Sequence, residues 1–360
     1  MQGHVSILSV SPEAAAMIAS GGRISTMDGT ADEIYANSLS AGQEKNEKLI
    51  GKVLSSGHTS VLEHCYVNLS FENVSVLAEQ FLIEFRLASF TVKSRRYVDF
   101  SKAGYVSPVF TDNVQMAIFE RTVESLFGTY DVLEAAGVPK EDARFVLPYC
   151  FCSNFFCSMN ARELVHVMNE LAYGRGSRIP ELRALGESLF AQCEQQIPFL
   201  AVRKPEAYRQ SDAFCLRQVQ PLTSKAPVTV LAAPQDAEGL ICGAYQLARG
   251  NVPQPLTKPE QTALLKALLA QPRKRELEQA SYTLLFGGLS LAALTHLTRH
   301  RMQALCAPNL LKSARYDRYV LPESVQQTGL EAQYREAFRQ AGEAAVQLRA
   351  AGAGEDVLSY

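Results

Sequence analysis

Basic residues are concentrated near the end of the chain, in Arg299-His300-Arg301 and in the segment Ser313-Ala314-Arg315-Tyr316. Guanidinium groups bind phosphate or carboxylate through two parallel hydrogen bonds, and tyrosine or histidine rings stack on planar ring systems. This combination suits a nucleotide or a dinucleotide cofactor. The alternative is a solvated helix end, where the helix dipole favours basic side chains. Taken alone, these residues favour the alternative.

The segment before these residues repeats an earlier part of the chain. Leu62 aligns with Leu277 and Arg86 with Arg301, at a constant offset of 215 residues. In the first copy, β-branched and aromatic residues at 67–71 predict a strand. From Val74 onward, apolar residues spaced at i, i+3 and i+4 predict a helix. Each copy is therefore predicted to be a strand that leads into an amphipathic helix.

The two copies set the domain organisation. Short strands are predicted at Val5 and at Val228, each followed by a proline and a helix. Proline and polar residues are concentrated between the copies, which is typical of a linker. We therefore expect a first repeat at 1–203, a linker at 204–226 and a second repeat at 227–360.

Composition narrows the class of protein. Hydrophobic residues make up 47% and charged residues 20% of the chain, and the net charge is −2. These values are typical of a soluble globular protein with no general attraction for nucleic acid or for membranes. The eight cysteines are scattered, without paired metal-binding spacing, so we expect reduced thiols, no metal site and a cytoplasmic location.

Several motifs together point to one family. RHR followed by S-x-R-Y is the signature of flavin-dependent thymidylate synthases. Residues 57–64 resemble the GHxSxxEH segment of that family, 141–148 its E-x-AR-x-x-LP segment and 160–166 its NARELxH segment. These pieces occur in order, and the resemblance covers most of the chain. It implies an α+β fold with two thymidylate-synthase-complementing-type modules, each a mostly antiparallel sheet packed with long helices.

The resemblance also implies which residues bind ligands. Those expected to contact FAD are Arg299, His300, Arg301, Ser60, Asn160, Arg162, His166 and Arg86. Those expected to contact dUMP are Ser94, Arg96, Arg144, Ser313 and Arg315. No catalytic nucleophile is implied, because much of the chemistry of such enzymes resides in the cofactor.

The first copy departs from the family pattern at two places. Glu84 and Phe85 stand where the first arginine and the histidine of RHR belong, which reverses one charge and removes hydrogen-bonding capacity. Leu171 stands where the family has an arginine that is thought to polarise the pyrimidine. Arg175, one turn further along, is a possible replacement.

The second copy departs in the complementary way. It keeps RHR, but His296 replaces a glutamine of the family, and the given sequence holds no counterpart of 160–166. We therefore hypothesise composite sites, in which Arg299–Arg301 of one repeat act with Asn160, Arg162 and His166 of another. One chain would then mimic two subunits, and a homodimer would mimic the tetramer of the family.

The resemblance implies methylation of dUMP at C5 to dTMP, with FAD as cofactor, methylenetetrahydrofolate as one-carbon donor and NADPH as reductant. Two alternatives stay open. One is a flavin- and nucleotide-binding homologue without synthase activity, and the other is C5 modification of a different pyrimidine nucleotide. The altered residues of the first copy favour the first alternative.

Overall fold

The computed structural model describes residues 3–209, 227–307 and 316–360. The strands are β1 His4–Val10, β2 Tyr66–Ser75, β3 Ala88–Val92, β4 Cys152–Asn160, β5 Val228–Ala232 and β6 Thr283–Phe286. The helices are α1 Ala14–Arg23, α2 Ala31–Ala41, α3 Gln43–Ser55, α4 Val76–Leu82, α5 Asn113–Ala135, α6 Lys140–Ala143, α7 Ala161–Ala172, α8 Pro180–Gln196, α9 Pro205–Tyr208, α10 Ala237–Leu247, α11 Lys258–Leu269, α12 Leu291–Thr298, α13 Glu323–Gln327, α14 Glu331–Ala350 and α15 Glu355–Leu358. Short 3-10 helices lie at Thr59–His64, Arg144–Val146, Pro198–Leu200 and Arg275–Gln279. The α+β class predicted from the sequence is confirmed.

The described residues form two compact units, which differ from the two predicted repeats. The larger unit holds the first repeat together with the part of the second repeat that begins at Leu291, and the smaller unit holds 227–290. The part that begins at Leu291 belongs to the larger unit because α12 and α14 pack on first-repeat elements. Most of the predicted linker, 204–226, lies outside the described residues.

A four-stranded antiparallel sheet in the order β1-β2-β4-β3 organises the larger unit. Along β2 the side chains of Val67, Leu69 and Phe71 are fully buried, while those of Tyr66 and Asn68 face outward. This alternation is what the period of a strand dictates when one face meets a core. Helices α7 and α8 contribute to the core that covers the buried face.

Helix α4 begins two residues later than the apolar spacing from Val74 predicts. Val74 still pairs with Ser153 in the sheet, so it belongs to β2. The hydroxyl of Ser75 accepts a hydrogen bond from the Ala78 N–H, which caps the helix. Every residue of α4 is buried, including the polar residues Glu79 and Gln80.

Equivalent residues of the two repeats contact each other in the larger unit. The Thr295 hydroxyl donates to Gln80 Oε1 at 2.8 Å, and the two residues are 215 positions apart. The same separation holds for the Ser125 hydroxyl, which donates to Gln340 Oε1 at 2.7 Å, and for Arg86 Nε, which donates to the Arg301 carbonyl at 2.7 Å. Equivalent residues meet in this way beside a two-fold axis. Within the larger unit, the first repeat and the part of the second repeat that begins at Leu291 are therefore packed about a local two-fold axis.

The smaller unit has a simple architecture. Strands β5 and β6 form an antiparallel pair, and α10 packs with α11. Asp236 accepts a hydrogen bond from the Gly239 N–H at the start of α10, and Thr257 and Glu260 form a capping box at the start of α11.

Membrane-spanning helices and metal sites are both absent from the described ranges. None of their helices is long and apolar enough to cross a bilayer. They also contain no group of three or more His, Cys, Asp or Glu side chains placed to hold a metal ion. Of the cysteines that are described, six are buried and Cys306 is exposed, and all are free thiols.

Neighbouring phenylalanines of β4 allow a matched test of the core. Phe155 is buried and stacks on Phe71 with ring centroids 4.7 Å apart, whereas Phe156 is 61% exposed. We expect Phe155→Ala to lower the free energy of unfolding by about 3–5 kcal/mol, because a large buried side chain is lost. Phe156→Ala should change it by no more than about 0.5 kcal/mol. Urea denaturation of both variants measures this, and equal losses would contradict the assigned sheet face.

Candidate functional site

A cavity of about 430 Å³ in the larger unit is lined by residues of both repeats. Its polar part comes from three places: the loop after β3, the segment after α6, and helix α12 together with the residue that follows it. The polar lining residues from these places are Ser94, Arg95, Arg96, Arg144, Tyr149, Thr295, His296 and Arg299. Four arginines therefore converge on one cavity.

The buried carboxylate of Glu79 joins two of these arginines. Glu79 is 1% exposed, ion-pairs with Arg95 and accepts a hydrogen bond from the Ser153 hydroxyl at 2.6 Å. Arg299 Nη2 lies 3.3 Å from the other oxygen, Glu79 Oε1. Arg95 comes from the first repeat and Arg299 from the second, so Glu79 holds basic groups of both repeats beside the cavity.

The remaining two arginines are held by the segment that starts with Glu141. Arg96 Nε donates to the Glu141 carboxylate at 2.6 Å, and Arg144 Nε donates to the Glu141 carbonyl at 3.0 Å. Desolvation lowers the pKa of Arg144, and the charge of Arg95 lowers it further. Four guanidinium groups thus face three carboxylates, those of Glu79, Glu141 and Asp142. The imbalance favours an anionic ligand.

His296 sits among these positive charges on α12. Desolvation lowers its pKa, and the charges of Arg299 and Arg144 lower it further, followed by the other two arginines. The imidazole is therefore neutral at pH 7, with one donor and one acceptor nitrogen. Because its folded pKa lies below the ordinary value, the unfolded chain binds the proton more readily. This group therefore reduces stability as the pH falls below that value.

Tyr149 completes the polar lining as a neutral donor. Burial raises its pKa to about 12, and its side chain hydrogen-bonds Thr295 of α12. The phenol, like His296, can therefore contact a ligand without adding charge at pH 7.

Comparison with known proteins identifies the family. Residues 6–199 and 229–359 match the family described as thymidylate synthase complementing protein. The chain belongs to this family. The resemblance found in the sequence motifs is thereby confirmed.

Relatives and one solved structure show what the chain is similar to. A flavin-dependent thymidylate synthase from Nitratidesulfovibrio vulgaris is 29% identical over 256 residues, which cover 68% of this chain and 96% of that protein. Another from Geobacter sulfurreducens is 34% identical over 166 residues, which cover 45% of this chain and 70% of that protein. The structure of PolB, a UMP/dUMP methylase from Streptomyces cacaoi bound with 5-Br dUMP, is 21% identical. It covers 56% of this chain and 93% of that chain, with a TM-score of 0.47.

Of the five residues that the family resemblance assigns to dUMP, the three that the structure describes lie together. Ser94, Arg96 and Arg144 all line the cavity, and Arg299, which was assigned to FAD, lines it as well. Ser313 and Arg315 lie outside the described residues.

The remaining residues assigned to FAD lie away from this lining. Asn160 Oδ1 caps α7 by accepting from the Glu163 N–H at 2.9 Å, and Arg162 pairs with the exposed Glu63 at 2.5 Å. Ser60 lies in the same 3-10 turn as Glu63. Nδ1 of His166 is 2.9 Å from the Tyr208 hydroxyl. These four residues therefore lie near the start and along one side of α7.

The other three residues assigned to FAD lie shortly after the C-terminal ends of α4 and α12. Arg86, His300 and Arg301 are exposed. The Arg301 carbonyl accepts from Arg86, as described above, and the Phe85 ring lies 5.5 Å from the His166 ring. Arg86 is thus next in sequence to a residue that touches His166.

Glu84, which replaces an RHR arginine in the first copy, is paired internally. Its carboxylate accepts from Arg175 Nη1 at 3.0 Å, and Arg175 also lies 3.5 Å from Glu170. Burial raises the pKa of Glu84, and Arg175 opposes that rise. Arg175 is therefore engaged by two carboxylates, and Leu171 is a fully buried core residue.

Two residues of the arginine cluster, Glu79 and Arg95, were not among the site residues predicted from the sequence. Glu79 is a charged residue in α4, a helix whose residues are all buried, and a carboxylate on a buried face is the signal that identifies it. Arg95 lies between the two selected residues Ser94 and Arg96. Its side chain is 11% exposed and stacks over Phe151 at 5.2 Å, so it is a buried member of the cluster.

The arginine cluster can be tested through His296. We expect Arg299→Ala to raise the pKa of His296, because one nearby positive charge is removed. Arg86→Ala is the matched control, since Arg86 is not among the charges that act on His296. Proton NMR titration of the imidazole signals measures both, with the signal assigned by its loss in His296→Gln. An unchanged pKa in Arg299→Ala would contradict this geometry.

Proposed function

We propose that this chain is an FAD-dependent enzyme that methylates dUMP at C5, using methylenetetrahydrofolate and NADPH. The nucleotide binds in the arginine-lined cavity. The observation that carries the proposal is the convergence of Arg299, from the repeat that keeps RHR, with Ser94, Arg96 and Arg144 of the other repeat. The curated relatives named above are flavin-dependent thymidylate synthases, which supports the same reaction.

The cluster fits the phosphate of a nucleotide. Each guanidinium carries five N–H donors in a planar fork that matches two phosphate oxygens. Arg299 directs Nη2 to Glu79 and Arg96 directs Nε to Glu141, so neither contact uses the whole fork. The excess of positive charge stabilises a dianionic phosphate more than a neutral ligand.

Neutral groups of the cavity suit the base. His296 and Tyr149 are both uncharged at pH 7, and both side chains carry hydrogen-bonding groups. A pyrimidine ring presents neutral donors and acceptors, which such groups recognise without the cost of burying a further charge. We therefore assign the phosphate to the arginines, and we assign the base to His296 and Tyr149.

The residues assigned to FAD fit that cofactor on the criterion of available donors. Arg162 is 51% exposed and its partner Glu63 is 44% exposed, so their ion pair is weak and can be exchanged for a phosphate. His166 supplies a planar ring for stacking. FAD, when bound, supplies the redox chemistry of the reaction. The protein binds and orients both ligands and excludes water.

The site is composite within one chain in this proposal. Arg299 and His296 belong to the second repeat, and the other basic groups belong to the first. We propose further that two chains form a homodimer that corresponds to four family modules. The two sets of residues assigned to FAD, around α7 and after α12, would then be joined across the repeats or across the dimer.

A second candidate function is a flavin- and nucleotide-binding protein without synthase activity. Leu171 is apolar and fully buried, and Arg175 is held by Glu84 and Glu170. Neither residue is therefore placed to stabilise negative charge that develops on the base. If activity exists, Arg299 or another member of the cluster must provide that stabilisation.

The nucleotide site is tested by binding. We expect Arg144→Ala and Arg299→Ala each to raise the Kd for dUMP by at least about tenfold, since each removes a charge-assisted hydrogen bond. Arg249→Ala is the control, because that side chain stacks on Tyr245 and lies outside the cavity lining. Isothermal titration calorimetry measures all three. Unchanged affinity in both cavity variants would refute this site.

The cofactor and the reaction are tested together. The purified protein should show a flavin absorption spectrum, and Asn160→Ala and Arg299→Ala should each lower its flavin content. If neither substitution changes the flavin content, the composite flavin site is ruled out. Tritium release from dUMP labelled at C5 then separates the synthase from the binding protein. Flavin and dUMP binding without release would favour the second candidate.

A further inference from the structure

The lining residues indicate that the cavity lies on the local two-fold axis of the larger unit. Much of its lining consists of residue pairs that stand 215 positions apart and so occupy equivalent places in the two copies. Three such pairs are Val76 and Leu291, Thr122 and Ala337, and Leu126 and Ala341. A cavity on such an axis has two ends that the axis exchanges. Each end is therefore the structural counterpart of the other.

The two ends differ at the position of Arg144. Helices α6 and α15, at Lys140–Ala143 and Glu355–Leu358, are equivalent in the two copies. The residue that follows each helix is in the right-handed helical conformation and lines the cavity, and it is Arg144 in one copy and Ser359 in the other. The second end thus has a neutral hydroxyl where the first end has a guanidinium.

The ends differ again at the position of Arg299. The equivalent residue of the first copy is Glu84, whose carboxylate pairs with Arg175 at 3.0 Å and does not line the cavity. The equivalent of His296 is Phe81, which is fully buried beneath the Arg175 guanidinium at 5.2 Å. A closed ion pair and an aromatic side chain therefore stand where the first end has a basic and a polar group.

Among the described residues, the contact between Glu79 and Arg299 also distinguishes the two ends. Glu79 joins Arg299 to Arg95, whereas its equivalent in the second copy is Leu294, which has no charge. Ser313 and Arg315, the equivalents of Ser94 and Arg96, lie outside the described residues. At two of the compared positions, Ser359 and Glu84, the second end has no arginine to bind a phosphate.

We infer that each chain binds one nucleotide, at the Arg144–Arg299 end, and that the equivalent end is closed to phosphate. The inference rests on the proposed function for the identity of the nucleotide, but the number of sites follows from the asymmetry of the two ends. Duplication of the module therefore leaves one anion site per pair of repeats. The Glu84–Arg175 ion pair takes the place of a ligand contact at the second end.

Calorimetric titration of the full chain with dUMP measures the number of sites, with protein concentration set by amino-acid analysis. We expect one dUMP per chain. Arg144→Ala should weaken that single site by at least about tenfold, and so should Arg299→Gln, which keeps most of the side-chain volume. Ser359→Ala is the matched control at the equivalent position and should change neither the stoichiometry nor the Kd. Glu84→Gln should also leave one site, although it should lower the thermal midpoint.

Each outcome decides a separate point. Two nucleotides per chain would overturn the inference and leave the proposed function standing. Tight binding that survives both arginine substitutions would overturn the inference and also refute the cavity as the nucleotide site. UMP and inorganic phosphate are titrated in parallel. Binding of either one at one per chain, without dUMP binding, would support the inference and contradict the proposed substrate. Binding of none of the three would overturn both.

Discussion

A buried carboxylate, that of Glu79, connects the two repeats at the cavity. An ion in the protein interior loses several kcal/mol of hydration, and that loss is offset only when good partners surround it. Glu79 has three such partners, which are Arg95, the Ser153 hydroxyl and Arg299. Because these partners come from both copies, the position of α12 against α4 is tied to the placement of the basic groups. Removing the carboxylate would leave Arg95 buried without a counter-charge, at a cost of about 3–5 kcal/mol.

Divergence of the repeats explains why the cavity is charged on one side. In a symmetric pair, equivalent residues have equal roles, as the contact of Gln80 with Thr295 on the axis illustrates. Away from the axis, the equivalent residues Arg299 and Glu84 carry opposite charges. Arg299 pairs across the repeats with Glu79, whereas Glu84 pairs within its own repeat with Arg175. The same module thus provides a ligand site on one side and a structural ion pair on the other.

Sequence alone predicts the local elements and the residues that share a motif. Strand β2 was expected at 67–71 and runs from Tyr66 to Ser75, and the helix expected from Val74 begins at Val76 because the sheet extends further. The motifs also predicted Ser94, Arg96 and Arg144, which share the cavity with Arg299. The role of Glu79 could not be predicted, because it depends on a contact with Arg299, which is 220 residues away. The packing of α12 on the first repeat is likewise non-local, and hydrophobic periodicity carries no information about partners.

The central claim is that Arg144, from the first repeat, and Arg299, from the second repeat, contribute to the same site from a single chain. It is tested most directly by forming mixed oligomers from Arg144→Ala chains and Arg299→Ala chains, by coexpression, and measuring high-affinity dUMP binding. Each chain then lacks one essential guanidinium. If the site is built within a chain, the mixture binds no better than either variant alone. If the arginines come from different chains, a fraction of the sites recovers wild-type affinity, and that recovery would contradict the account.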